Sequence, residues 1–152
     1  MPEPKRILLV EDNENDAALT LAALEETNLA EDVVVVRDGQ EALDFLWRRG
    51  RYVTRSGGQP AVVLLDLKMP KVDGLQVLEE LKRDAALRVI PVVMLTSSGE
   101  HTDLMRSYNL GVNAYVVKPV SFPDYVNALT KIGLFWAVVN QPPPGTVGGG
   151  RR

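Results

Sequence analysis

Short hydrophobic runs alternate along the chain with longer segments in which hydrophobic positions recur every three or four residues. The runs are hydrophobic on both faces, as is typical of the central strands of a parallel sheet. Five such runs are present, at residues 6–10, 33–36, 61–65, 91–96 and 114–117. The alternation predicts five βα units, and therefore an α/β fold with an open, doubly wound parallel sheet that carries helices on both faces.

The intervening segments show helical periodicity, and the last of them is the longest. A predicted helix places its hydrophobic residues on one face, toward the sheet. The hydrophobic positions that mark the five helices are Ala18, Leu21, Ala22 and Leu24; Ala42 and Leu46; Leu75, Leu78 and Leu81; Leu104 and Tyr108; and Phe122, Val126, Leu129, Ile132 and Trp136.

Two segments do not fit this pattern. Residues 48–59 are basic and glycine-rich, and they are long for a connection between a helix and a strand. Residues 141–152 contain three consecutive prolines and three consecutive glycines. This composition does not build a core, so we expect one domain at residues 1–140, followed by a disordered tail.

Composition narrows the classes of function mainly by exclusion. The chain has 152 residues and a net charge of −3. It has no cysteine and one histidine, and these two counts exclude disulfides, thiolate metal sites and histidine-rich metal sites. The mildly acidic balance gives no support for nucleic-acid binding. No hydrophobic run approaches the ~18–20 residues that span a bilayer, and no signal-type segment is present. We expect a cytoplasmic protein with neither nucleic acid nor membrane as a partner.

Polar and charged residues stand at the ends of four predicted strands. Glu11 and Asp12 follow the first, Asp66 follows the third, Thr96 ends the fourth and Lys118 follows the fifth. In open α/β sheets, ligands bind beyond the carboxyl ends of the strands. A flavodoxin-like strand order of 2-1-3-4-5 would make the first and third strands neighbours, which would bring the three carboxylates together.

These residue types can hold an aspartyl phosphate. Three crowded carboxylates do not all stay ionised without a counter-charge, and oxygen ligands favour a hard cation such as Mg²⁺. A carboxylate beside the metal, here Asp66, can act as a nucleophile toward a phosphoryl donor. Lys118 and Thr96 would contribute a charge and a hydroxyl to the transferred oxygens. One aspartate at a strand end is usually a cap or turn residue, but all five positions occur together and in order.

At this point the sequence resembles the receiver domains of bacterial response regulators, over about residues 5–139. The resemblance rests on LLVEDN around Asp12, LLDLKMPKVDG around Asp66, VVMLTSS around Thr96 and AYVVKPV around Lys118. It implies a (βα)₅ fold and transfer of a phosphoryl group from a sensor histidine kinase. The protein would be a phosphoacceptor that phosphorylates and dephosphorylates itself, and it would not otherwise be an enzyme.

The resemblance also implies a role for each matched residue. The metal would be Mg²⁺, and a switch would change the surface of the fourth helix, fifth strand and fifth helix. The implied residues are Asp66 as phosphoacceptor, with Lys118 and Thr96 beside it; Glu11, Asp12, Asp66 and the backbone carbonyl of Lys68 as metal ligands; a cis peptide bond between Lys118 and Pro119; and Thr96 with Tyr115 as the switch pair.

Three features depart from the general receiver pattern. Lys68 stands two residues after the phosphoacceptor, Ser97 follows Thr96, and residues 48–59 form an insert. The insert and the long hydrophobic final helix resemble the stand-alone regulators that partner bacterial phytochrome kinases. Such a regulator would have no fused output domain and would signal through protein contacts or act as a phosphate sink or relay.

Two surfaces suggest further partners. Residues 134–139 form a continuous hydrophobic run, from which we expect a homodimer through Leu134, Trp136 and Val138. Arginines cluster in the insert and are open to two interpretations, a solvated loop or a docking edge for an acidic kinase surface. These arginines are Arg48, Arg49, Arg51 and Arg55.

Other functions fit the sequence less well. An aspartate-nucleophile phosphatase of the haloacid-dehalogenase type needs a second carboxylate two residues after the nucleophile, where this chain has Lys68. A nucleotide-binding domain needs a glycine-rich turn after the first strand, where this chain has EDNEND. An interaction module that works without phosphorylation stays open, although the complete set of acidic, hydroxyl and lysine positions argues against it.

Overall fold

The computed structural model describes residues 5–148 and contains a five-stranded parallel sheet in the order β2-β1-β3-β4-β5. Both the parallel sheet and the strand order confirm the predicted fold. The strands are β1 (Ile7–Val10), β2 (Val33–Val36), β3 (Val62–Leu65), β4 (Val92–Thr96) and β5 (Ala114–Val117).

Five helices cover the two faces of the sheet. They are α1 (Glu14–Glu25), α2 (Gly39–Trp47), α3 (Gly74–Arg83), α4 (His101–Asn109) and α5 (Phe122–Leu134). A π-helical turn at Phe135–Val139 extends α5, and short 3₁₀ turns lie at Ala30–Asp32 and Gly50–Tyr52. No helix within residues 5–148 has the length and hydrophobicity needed to cross a membrane.

The core has two layers because successive strand residues point to opposite faces. Leu8 and Val10 of β1 pack with residues of α2 and α3 on one face. Ile7 and Leu9 pack with residues of α1 and with Trp136 on the other. The central strands are therefore buried on both sides, which explains why their sequences are hydrophobic throughout.

Side-chain caps begin two helices close to the predicted site. Asn13 Oδ1 accepts a hydrogen bond from Asp16 N at 2.9 Å and starts α1 immediately after the first strand's acidic residues. Asp73 and Gln76 form a reciprocal capping box at the start of α3. These caps fix the points at which the chain turns from the sheet edge into a helix.

The insert and the residues after α5 hold each other in place. Gln59 N donates to Gly145 O at 2.9 Å, and Val147 N donates to Gln59 O at 2.7 Å. Gln59 Nε2 also donates to Leu46 O, at 2.9 Å. The expected disordered tail therefore differs from the structure within residues 141–148, where Gly145 and Val147 pair with the insert. Residues 149–152 lie outside the described part of the chain.

The insert arginines contact the domain's own acidic and aromatic side chains. Arg49 Nε lies 2.8 Å from Asp44 Oδ1, and Arg51 Nη1 lies 3.5 Å from Glu41 Oε2. The guanidinium of Arg55 stacks over a phenylalanine ring at 4.0 Å. These contacts neutralise part of the positive charge that a docking edge for an acidic partner would use.

Candidate functional site

Three carboxylates converge at the carboxyl edge of the sheet. Glu11 and Asp12 follow β1 and Asp66 follows β3, and carboxylate oxygens of all three lie within 4.8 Å of one another. The backbone holds them there, since Glu11 N donates to Val36 O at 3.0 Å and Asp66 N donates to Val10 O at 3.1 Å. The adjacency of β1 and β3, which the predicted strand order required, brings the cluster together.

Burial makes this cluster costly to ionise. Glu11 is 1% exposed, and burial together with the negative charge of Asp66 raises its pKa to about 7, although Lys118 and the backbone N–H of Asn13 oppose the rise. Burial, with a contribution from Asp12, also raises the pKa of Asp66. A set of oxygen-only ligands with excess negative charge fits a hard divalent cation, which would relieve this repulsion.

Lys118 joins the cluster from the end of β5. Its Nζ lies 2.9 Å from Glu11 Oε1 and 2.9 Å from Asp16 Oδ2. Burial alone would lower the pKa of Lys118, but the bonds to Asp16 and Glu11 outweigh it and hold the pKa above its ordinary value. Within the part of the chain that the structure describes, the salt bridges of Lys118 go to Glu11 and Asp16 and not to Asp66.

Asp16 is a site residue that the sequence analysis missed. It lies in the first turn of α1, and its carboxylate is shared with the same lysine as Glu11. The signal was present in the acidic stretch EDNEND, where Asp16 lies in the first turn of the helix that begins directly after Glu11 and Asp12.

The predicted cis peptide bond between Lys118 and Pro119 is wrong for this structure. The described residues contain no cis peptide bond, so this one is trans. Trans is the favoured form of an X–Pro bond by about 0.5–1 kcal/mol. In this form Lys118 N still donates to Thr96 O at 2.7 Å, and the lysine side chain still reaches the carboxylates.

Thr96 and Tyr115 lie on neighbouring strands and meet at the loop after β4. Thr96 is 1% exposed, and its Oγ1 accepts from Ser98 N at 3.2 Å. The Tyr115 hydroxyl donates to Ser98 O at 2.7 Å, and Ser98 Oγ donates to Asp103 Oδ2 at 2.6 Å. Ser98 and Asp103 were not anticipated from the sequence, and they connect both predicted switch residues to α4.

Lys68 is exposed beside the cluster. It lines a groove of about 370 Å³ between the loop after β3 and helix α4, together with Asp73, Asp103 and Arg106. The groove is lined by charges of both signs. The role of the Lys68 carbonyl as a metal ligand stays a prediction.

Comparison with known proteins places this arrangement in a family. Residues 7–130 match the family described as Response regulator receiver domain. Response regulator Rcp1 from Synechocystis sp. is 39% identical over 133 residues, which cover 88% of this chain and 89% of Rcp1. The match therefore spans most of both proteins.

Solved structures show the same fold. The bacteriophytochrome response regulator AtBRR is 61% identical, with a TM-score of 0.72 and coverage of 92% of this chain and 100% of that chain. The phosphorylated cyanobacterial phytochrome response regulator RcpA is 40% identical, with a TM-score of 0.85 and coverage of 93% and 99%.

The structure of Rcp1 that resembles this chain is the Mn²⁺-bound form, with 38% identity, a TM-score of 0.85 and coverage of 92% of this chain and 99% of that chain. A divalent metal is thus present in a close structural relative, and this chain has the carboxylate cluster that suits one. With the family match, the strand order and the acidic edge of the sheet in agreement, this chain belongs to the response regulator receiver domain family.

Proposed function

We propose that Asp66 accepts a phosphoryl group from the phosphohistidine of a sensor histidine kinase. A carboxylate oxygen of Asp66 would attack phosphorus, and the bond from phosphorus to the donor would break, leaving an acyl phosphate. The convergence of Glu11, Asp12 and Asp66 at the carboxyl edge, with Lys118 in contact with Glu11, carries this proposal. Asp66 is only half-buried, so a phosphoryl donor can reach its carboxylate.

Glu11, Asp12 and Asp66 would hold the metal, with the backbone carbonyl of Lys68 as a further oxygen ligand. We propose Mg²⁺, because the ligands are oxygens and the chemistry is phosphoryl transfer. When bound, the metal neutralises charge on the transferred oxygens. The residues of the chain then orient the acceptor, and Lys118 supplies a second positive charge nearby.

The switch would act through the loop after β4. A phosphoryl group adds negative charge and strong acceptors at Asp66, to which the Thr96 hydroxyl can donate. Since Ser98 N now donates to Thr96 Oγ1 and Tyr115 donates to Ser98 O, a move of Thr96 changes both contacts. The surface of α4, β5 and α5 is therefore the surface that we propose reports phosphorylation.

The kinase partner that we propose is a bacteriophytochrome. The 61% identity to a bacteriophytochrome response regulator over 92% of this chain supports this choice. A histidine kinase core uses ATP, so the receiver would meet it in the cytoplasm, in agreement with the expected location.

Incubation with acetyl phosphate tests the acceptor directly. We expect the intact protein to gain about 80 Da, one phosphoryl group, only when Mg²⁺ is present. Asp66→Asn should abolish the gain because it removes the nucleophilic oxygen while keeping the shape of the side chain. Intact-protein mass spectrometry reads the result.

The control is Glu79→Gln, which removes a carboxylate that pairs with Arg83 on α3 and takes no part in the cluster. It should be phosphorylated like the wild-type chain. A mass gain that is still observed in Asp66→Asn would show that another residue accepts the phosphoryl group. No mass gain with either acetyl phosphate or a bacteriophytochrome kinase would refute the proposal.

We also propose a homodimer through the end of α5 and the turn after it. Leu134 is 38% exposed and Val138 is 53% exposed, and they stand one helical turn apart beside exposed Phe135 and Val139. Trp136, which the sequence analysis placed in the interface, packs partly against the core of its own domain instead. The proposed contact is therefore centred on the exposed residues and not on the tryptophan.

Leu134→Ser with Val138→Ser should convert a dimer to a monomer in sedimentation velocity, because each change removes hydrophobic area from the contact. The matched control is Val120→Ser, which alters a fully exposed valine just before the start of α5. If the double variant sediments like the wild-type chain, the contact does not lie on this surface.

A further inference from the structure

Lys118 has two carboxylate partners, and one of them lies outside the proposed metal ligands. Its Nζ is 2.9 Å from Glu11 Oε1, within the cluster, and 2.9 Å from Asp16 Oδ2, on helix α1. The lysine side chain is 11% exposed, so water does not replace a lost partner easily. Its ammonium is therefore held on the α1 side of the site.

Asp16 is fixed in position by contacts that do not involve Lys118. Its backbone N–H is capped by Asn13, and its backbone carbonyl accepts from Thr20 Oγ1 at 2.8 Å. The buried Thr20 hydroxyl also lies 3.1 Å from the hydroxyl of Tyr125 on α5. The first turn of α1 is thereby joined to α5, so the backbone that carries the Asp16 carboxylate is held in place independently of Lys118.

We propose that Asp16 is a positioning residue, a resting partner that holds the Lys118 ammonium together with Glu11 in the metal-free site and keeps it when a metal engages Glu11 and no phosphoryl group is present. The inference deepens the proposed function and rests on it. A metal that engages Glu11 takes away one partner of Lys118, and Asp16 keeps the ammonium paired. A phosphoryl group on Asp66 then has to draw the same ammonium away from Asp16.

Two opposite consequences follow from removing the Asp16 charge. Without Asp16, Lys118 has only Glu11 as a close partner. A metal then has to displace the Lys118 ammonium from Glu11 at a greater cost in free energy, so the affinity for the metal falls. Once metal is bound, however, nothing holds Lys118 back, so a phosphoryl mimic on Asp66 binds more tightly. A general loosening of the fold would weaken both interactions, so opposite signs exclude it. The loss of a nearby negative charge acting at long range would give the same signs, and Glu14→Gln tests that alternative.

The variant is Asp16→Asn, and the two probes are Mn²⁺ and beryllofluoride, which coordinates a carboxylate oxygen and mimics a phosphoryl group. We expect the dissociation constant for Mn²⁺ alone to rise roughly three- to tenfold, from the electron paramagnetic resonance signal of free Mn²⁺. We expect the dissociation constant for beryllofluoride at saturating Mn²⁺ to fall by a similar factor, from titration calorimetry.

Two further variants separate charge from contact. Glu14→Gln removes one charge from the same turn of α1, but the Glu14 side chain is 85% exposed and contacts Arg37 and not Lys118, so both constants should stay within about twofold. Asp16→Glu keeps the charge within reach of Lys118 and should restore both constants toward the wild-type values. Thermal unfolding of each variant confirms that it is folded.

The outcomes distinguish this inference from the proposed function. Tighter beryllofluoride binding together with weaker Mn²⁺ binding supports it. Unchanged constants, or two changes of the same sign, overturn it. If the wild-type chain binds no beryllofluoride, the proposed phosphoacceptor chemistry fails, and the Mn²⁺ titration alone then decides whether Asp16 holds Lys118 away from the metal ligands.

Discussion

At pH 8 and without a divalent metal, Glu11→Gln is expected to unfold at a temperature about 6–10 °C higher than the wild-type chain. Burial and the nearby charge of Asp66 raise the pKa of Glu11 from 4.5 to about 7, so ionised Glu11 opposes folding. This pKa shift lowers the free energy of unfolding of the wild-type chain by about 3 kcal/mol at neutral to alkaline pH. Glutamine has the shape of protonated glutamate and carries no charge, so it does not oppose folding.

The effect has a defined pH window. Below the unfolded-state pKa of 4.5, Glu11 is protonated in both the folded and unfolded chains, and the two proteins should differ little. Between pH 4.5 and about 7 the unfolded chain releases a proton that the folded chain retains, so the stability of the wild-type protein falls relative to the variant. Above about pH 7 the difference is complete and constant.

Thermal or urea unfolding of metal-free protein at pH 4, 6 and 8 measures this window. Glu14→Gln is the control, because it removes a charge from an 85% exposed side chain close in sequence. Saturating metal should narrow the difference, since it stabilises only the chain that retains the carboxylate ligand. Equal unfolding free energies at pH 8, or a difference that persists at pH 4, would contradict the assignment of a buried, repulsive carboxylate.

The parallel sheet could be predicted from the sequence because its cause is local. A strand buried on both faces is hydrophobic at every position, so runs such as Val62–Leu65 show both the element and its burial. The acidic edge followed from the same reasoning, since Asp66 comes directly after that strand. The position of a carboxylate directly after a strand, together with the order of the βα units in the sheet, predicts that the carboxylates after β1 and β3 lie close together.

Contacts between distant segments could not be predicted in the same way. The bond from Lys118 to Asp16 joins residues 102 positions apart and depends on the rotation of α1, which only its cap and its packing set. Residues 141–148 have a composition typical of disorder, yet their backbone pairs with Gln59 of the insert. Trp136 belongs to a continuous hydrophobic run, and only packing shows that it faces its own core.

Gly74→Ala is expected to destabilise the protein by about 2–4 kcal/mol, although alanine normally favours a helix at this position. Gly74 is the first residue of α3, and its N–H donates to Leu67 O at 2.8 Å, so the loop after β3 folds back onto its own backbone. A Cβ at Gly74 would lie 2.3 Å from Asp66 O and 2.8 Å from Leu67 Cα. Since both are backbone atoms, the loop has to move, and Asp66 moves with it.

Gly99→Ala makes the same chemical change where space is available. A Cβ there would meet only side-chain atoms of Val117, at 3.7 and 4.0 Å, which are ordinary van der Waals contacts. Urea unfolding should therefore leave Gly99→Ala close to the wild-type stability while Gly74→Ala loses several kcal/mol, and Mn²⁺ affinity should fall only in Gly74→Ala. Equal stabilities of the two variants would show that the loop beneath Asp66 adjusts freely. In that case the close approach of Gly74 does not hold Asp66 in place, and the position of Asp66 depends on β3 alone.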